Sequence, residues 1–149
     1  FDVEGNTDGI TYYYEHETGV NQVRLGVTAA IPANITSGDY DITQKVVRGA
    51  ATNMADLRGD GENIMRVSRI IPDFITQQNN VFAQLEVRDY PNDTAASSPL
   101  GPFTLTPTTT KVDTRARGRA IALTISNTAV DTSWKLGTFR LDIQAGGRR

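Results

Sequence analysis

The 149-residue chain reads as all-β, an antiparallel β-sandwich of jelly-roll or immunoglobulin-like type with little or no helix. Three observations predict this. From residue 64 onward the apolar residues recur with period two, as a half-buried strand requires. Breaker clusters separate these runs at short intervals. No stretch in that part carries the 3.6-residue period of an amphipathic helix.

The clearest strand is Val81–Arg88, where Val81, Ala83, Leu85 and Val87 alternate with Gln84, Glu86 and Arg88. Ile121, Leu123 and Ile125 repeat the pattern, as do Phe139, Leu141 and Ile143 against Thr138, Arg140 and Asp142. Residues 64–71 and 103–105 are shorter candidates. The expected inward set is Val81, Leu85, Val87, Leu123, Ile125, Trp134, Phe139, Leu141 and Ile143, because a one-residue slip would turn each whole set to solvent. Turns are expected at Pro72 and Asp73, Tyr90 to Asp93, Ser97 to Pro99, Gly101 and Pro102, and Ser126 and Asn127. The threonine-rich residues 104–110 read as an extended connection.

Residues 1–63 carry a less regular pattern. Asp8 and Gly9 form a hairpin-type turn signal before a strand at residues 10–16, which contains Tyr12, Tyr13 and Tyr14. Residues 20–33, with Val20, Val23, Leu25, Val27 and Ile31, suit a strand better than a helix, and Pro32 ends the element. A strand is expected at 42–47. Residues 50–57 tolerate one helical turn through Ala51, Met54, Ala55 and Leu57 before Gly59 and Gly61 stop it. The chain is read as a single β-domain over 1–149, with 64–149 as the sandwich and 1–63 either part of it or a preceding β-element. Because it starts at Phe1, it is taken as a processed product or part of a longer polypeptide.

Composition narrows the function classes. Hydrophobic residues make up 38% and charged residues 21%, and no apolar run approaches the ~20 residues of a membrane-spanning helix. With zero cysteines there is no disulfide framework, thiolate nucleophile or cysteine metal site. His16 is the one histidine, and on a strand Glu15 and Glu17 face away from it, so no metal site is expected. No Gly-x-Ser-x-Gly elbow is present, and the chain is expected to be non-enzymatic, without cofactor. Paired carboxylates of glycosidase type are a tertiary matter that sequence leaves open. The run Asp56 to Glu62, with Arg58, Gly59 and Asp60, fails the calcium-loop pattern and reads as a polar turn. Asn34 to Thr36 and Asn92 to Thr94 fit the glycosylation acceptor pattern, which matters only in a eukaryotic secretory setting.

Charge is distributed unevenly. Residues 1–63 hold ten acids and four bases, residues 64–105 four and three, and residues 106–149 three and eight, for net charges of −6, −1 and +5. Arg115, Arg117 and Arg119 alternate and would project from one strand face, with Arg148 and Arg149 adding charge at the end. Guanidinium forks match carboxylates and phosphates, and the expected role is contact with a carboxylate-bearing neighbouring subunit. The competing readings are a solvated edge that prevents strand pairing, and DNA. DNA-binding modules are usually basic overall with interleaved aromatics, and this chain is not. Trp134, just before Leu136 and Gly137, is expected to anchor the core with its indole N–H on a carbonyl. Gly137, Leu123 and Leu141 complete that expected core set.

The order of these motifs resembles the C-terminal region of tail nozzle or tail hub (tail tubular) proteins of short-tailed bacteriophages. The match rests on Ile70 to Phe74, the strand from Val81, the Arg88 to Pro91 turn, Gly101 to Phe103, Arg117 to Arg119, the Trp134 to Gly137 corner, and Gly147 with Arg148. It covers residues 64–149. Family members carry a propeller or tube-forming part before this region, so the short chain departs from the pattern. The resemblance implies a virion tail subunit forming a homo-oligomeric ring, often of six, below the head-tail adaptor. Its partners would be copies of itself and other tail or adaptor proteins, with DNA only as the passing genome and no membrane anchor. The alternative is a carbohydrate-binding β-sandwich of a tail spike or fibre, with a hydrolase domain a distant third.

Overall fold

The computed structural model describes residues 19–24, 26–42, 63–90, 93 and 97–148. The strand expected at 10–16, the helical turn at 50–57 and all of the 42–47 strand but Ile42 lie outside the described residues. Within them every element is a strand. In chain order these are β1 (Asn21–Arg24), β2 (Val27–Ala30), β3 (Ala33–Thr36), β4 (Asn63–Ile71), β5 (Phe74–Gln78), β6 (Val81–Arg88), β7 (Ser97–Leu105), β8 (Val112–Gly118), β9 (Ala120–Asn127), β10 (Ser133–Leu136) and β11 (Arg140–Arg148).

All pairings are antiparallel. A four-stranded sheet runs β3-β9-β6-β7 and a three-stranded sheet runs β11-β4-β8. Each contributes its apolar face to one core: Val81, Ala83, Leu85, Val87, Leu105, Ile121, Leu123 and Ile125 from the first, and Met65, Val67, Ile70 and Ala116 from the second. The chain is therefore an antiparallel β-sandwich. The period-two reading of β6 holds at every position, with buried and half-buried residues in strict alternation.

Of the two remaining pairs, β1-β2 and β10-β5, the second continues the β11-β4 pair. Arg140 lies opposite Ile71, Leu136 opposite Phe74 and Ser133 opposite Gln78, so residues 63–78 and 133–148 form one long two-stranded ribbon with a bend between its halves. At the bend Pro72 supplies no amide, and Asp73 supplies two acceptors. The Gly137 amide donates to the Asp73 carbonyl at 2.8 Å, and the Thr138 amide donates to the Asp73 carboxylate at 3.1 Å. Gly137 permits a close approach: a Cβ there would stand 3.0 Å from the Asp73 carbonyl oxygen and 3.0 Å from its carboxyl carbon, tighter than ordinary contact. Phe74 meets Trp134 edge-on at 6.3 Å and Phe139 edge-on at 5.7 Å, so three aromatics close the bend.

Several expectations are corrected. Ser97 to Pro99, Gly101 and Pro102, expected as turns, lie inside β7. This is an edge strand, where proline's missing donor costs no ladder bond, and its register shifts against β6 absorb the irregularity. Ser126 and Asn127, also expected as a turn, end β9, and Asn127 is buried. Thr106 to Thr109 form a closed turn rather than an extended connection, with the Thr109 amide on the Thr106 carbonyl at 3.0 Å and the Thr106 amide on Thr109 Oγ1 at 2.9 Å. Ile143 is 37% exposed instead of inward. Its register partner is the buried Val67, but β11 is an edge strand with a neighbour on one side only. Phe139 precedes β11 and packs half-buried against the core with Trp134 and Leu141.

The region read as a strand at 20–33 is a hairpin, β1 and β2, turning at Gly26 with φ of +77°. It ends before Pro32, as expected. β3, which carried no alternation signal, adds to β9 and exposes all four of its residues.

The bend yields a test. Gly137→Ala should lower stability by about 1–3 kcal/mol, because Asp73 must move away from its two donors. Gly38→Ala, where nothing lies within 4 Å of the added carbon, should stay within about 0.5 kcal/mol of the wild type. Urea denaturation midpoints measure both.

Candidate functional site

The outer face of the three-stranded sheet carries the most concentrated charge among the described residues. Strand β8 alternates strictly, sending Asp113, Arg115 and Arg117 outward while Ala116 and Gly118 are buried. Strand β4 places Arg66 and Arg69 on the same outer face, and β11 adds Asp142 and Gln144 opposite them.

This face has two ends of different character. At one end Arg69 sits between two acids. Its Nε donates to Asp113 at 2.9 Å and its Nη1 to Asp142 at 3.4 Å, with Lys111 Nζ 3.8 Å from Asp113. The hydrogen bond from Arg69 lowers the Asp113 pKa below the usual aspartate value, with the charge of Lys111 acting in the same direction against desolvation. The hydrogen bond and charge of Asp113 in turn raise the Arg69 pKa. Opposite charges on adjacent strands thus neutralise this end.

At the other end Arg66 and Arg117 are direct cross-strand partners. Both are exposed, and neither has an acidic partner among the described residues. Like charges in this position are unfavourable for a sheet. Both arginines line a cleft of about 460 Å³, together with Ile64, Gln144, Ala145 and Gly146. Gly146 lets β11 approach closely, since a Cβ there would stand 3.1 Å from the Ile64 carbonyl oxygen.

The arginine row expected from sequence is therefore only partly present. Arg115 and Arg117 share the face, but Arg119 lies past the end of β8, in the bend where the chain crosses to β9. Its amide donates to the Arg88 carbonyl at 3.0 Å, which fixes it at the crossing rather than in the row. A strand that must change sheets at Gly118 cannot keep its alternation one residue further. Gly118 itself is forced by packing, as a Cβ there would come within 2.3 Å of Val87. Arg148 ends β11 opposite Asn63, its side chain outside the described residues, as is all of Arg149.

Arg66 takes the place expected for Arg119, and sequence reasoning missed it. It lies in the run of residues 64–71, and only the adjacency of β4 and β8 makes it the neighbour of Arg117.

The other named residues are structural. Leu123 is buried, and Leu141 is half-buried against the core. Trp134 is half-buried, and its Nε1 donates to Asn127 Oδ1 at 2.8 Å, so the expected carbonyl belongs to a side-chain amide. Asn127 Nδ2 then donates to the Ile31 carbonyl at 3.1 Å, which links β10, β9 and the β2–β3 connection. Arg88 forms a separate lock, with Asp39 at 3.1 Å and Glu86 at 3.3 Å.

Among the described residues no group of three or more His, Cys, Asp or Glu is placed to hold a metal ion. No helix of the described residues is long and apolar enough to cross a membrane. Comparison with protein-family models and with curated proteins found no match to the chain.

The two ends of the face should respond oppositely to loss of charge in the isolated subunit. Arg117→Gln should leave stability unchanged or raise it by roughly 0.2–1 kcal/mol, since it removes a like-charge pair. Asp113→Asn should lower stability at neutral pH. Because the folded Asp113 pKa is lowered, its contribution is present above the pKa of an unfolded aspartate and is lost as pH falls through the folded value. The wild-type advantage over Asp113→Asn should therefore vanish in acid, as read by denaturation at a series of pH values.

Proposed function

We propose that the chain is a non-enzymatic structural subunit of a bacteriophage tail, of the nozzle or hub type, which acts in the virion by packing against copies of itself. In this reading the copies form a ring through which DNA is ejected, and other tail or head-tail adaptor proteins flank it. The observation that carries the reading is the arginine end of the outer sheet face, which has no acidic partner among the described residues, on a chain whose other terminus is strongly acidic. A head-to-tail arrangement brings such ends together and closes into a ring when the rotation between neighbours allows. The motif order over residues 64–149 supports the same assignment. Among those motifs, the Trp134 to Gly137 segment and the Ile70 to Phe74 segment meet as the two sides of the ribbon bend.

Light scattering coupled to size exclusion, followed by negative-stain imaging, tests this. A closed ring of identical copies is the expected result. A monomer or trimer that retains on a glycan array would overturn it in favour of a carbohydrate-binding sandwich from a tail spike or fibre.

A further inference from the structure

We infer that the cleft lined by Arg66 and Arg117 is a carboxylate-binding site that receives the acidic N-terminal stretch of a second copy of this chain. The inference rests on the structural-subunit reading in taking another copy as the partner, but it does not depend on the copies closing a ring.

Three features of the molecule lead to it. The first is an internal contrast on a single sheet face. Where Arg69 meets its cross-strand neighbours, both are acids, and the charges neutralise at 2.9 and 3.4 Å. Where Arg66 meets its own, one is Arg117 and the other is Gln144. The same three strands therefore compensate charge at one end and leave two guanidinium groups opposed at the other. An anion between them removes the repulsion and satisfies forks that are built for bidentate acceptors.

The second feature is shape. The cleft of about 460 Å³ lies within the range of pockets that take small ligands or side chains. Ile64 and Ala145 supply apolar wall, against which the methylene groups of a glutamate or aspartate side chain can rest, and Gln144 offers a further amide donor. Arg115, next outward on β8, extends the positive charge beyond the cleft for a second carboxylate.

The third feature identifies the occupant. Residues 1–18 contain Asp2, Glu4, Asp8, Glu15 and Glu17 and no lysine or arginine. Nowhere else does the chain hold as many acids in so short a span without a compensating base. The stretch also carries Phe1, Val3 and Ile10, apolar residues suited to the Ile64 wall. Duplex DNA fits less well, because the whole chain has net charge −2 and phosphate-driven affinity needs many neutralising contacts.

Zero-length cross-linking of the full chain tests this directly. Arg117→Lys keeps the positive charge and provides a primary amine. A carbodiimide joins such an amine to a carboxylate only when the two touch, forming an amide while the reagent takes up the water as a urea. The experiment mixes ¹⁴N and ¹⁵N copies of Arg117→Lys and sequences the cross-linked peptides. The expected product joins position 117 of one copy to an acid among residues 2–17 of the other, seen as mixed-isotope pairs. Its yield should fall several-fold in high salt, and also when Arg66→Gln is added.

Cross-links confined to one copy, or joining position 117 to acids elsewhere, would overturn the inference. So would their absence alongside salt-dependent duplex binding by the wild type that Arg66→Gln/Arg117→Gln loses. Rings without the cross-link would refute this contact while leaving the ring reading intact. The expected cross-link between copies that form no ring would do the reverse.

Discussion

Asp73 accepts the Gly137 amide through its backbone and the Thr138 amide through its carboxylate, and these two bonds fix where the long ribbon changes direction. On one side of that point β4 and β11 lie in the three-stranded sheet. On the other, β5 and β10 leave that sheet and pair only with each other. The chain then enters β6 at the centre of the opposite sheet. The apolar faces of β4 and β6 meet in one core. The bend is sealed by Phe74 between Trp134 and Phe139, and Trp134 is tied through Asn127 to β9. Backbone geometry, aromatic packing and a buried amide thus act on one corner.

The charged outer face follows from the same arrangement. Because β4 is the middle strand of its sheet, its outward residues have neighbours on both sides, and their charges are read in pairs. Arg69 finds an acid on each side, while Arg66 finds an arginine and a glutamine. A sheet edge would have left Arg66 with one neighbour and much more freedom to turn into solvent. Its central position holds it opposite Arg117, and the anion preference proposed for the cleft rests on that pairing.

Legibility in the sequence tracked how one-sided the burial is. β6 and β9 were plain because each buries one face fully and leaves the other partly wet, so alternation survives in the residue order. β7 was not, because Pro99, Gly101 and Pro102 carry the signals of a turn, and only its place at an edge makes them tolerable in a strand. β3 has no buried residue and hence no pattern to find. Ile143 had the right period but the wrong environment, since period reports the face and not whether another layer covers it. For the candidate site, Arg115 and Arg117 were visible as alternating residues on one strand. Arg66 was not, because strand order within a sheet is decided by long-range packing. Arg119 was misplaced by the one residue at which the chain leaves the strand.

Amide hydrogen exchange at Gly137 bears most directly on the claim that the bend holds the fold together. If the Asp73 contact is part of the cooperative core, the Gly137 amide exchanges as slowly as the paired amides of β4 and β11, through the same global opening. A Gly137 amide that exchanges at the rate of an open loop, while β4 and β11 remain protected, would contradict the account.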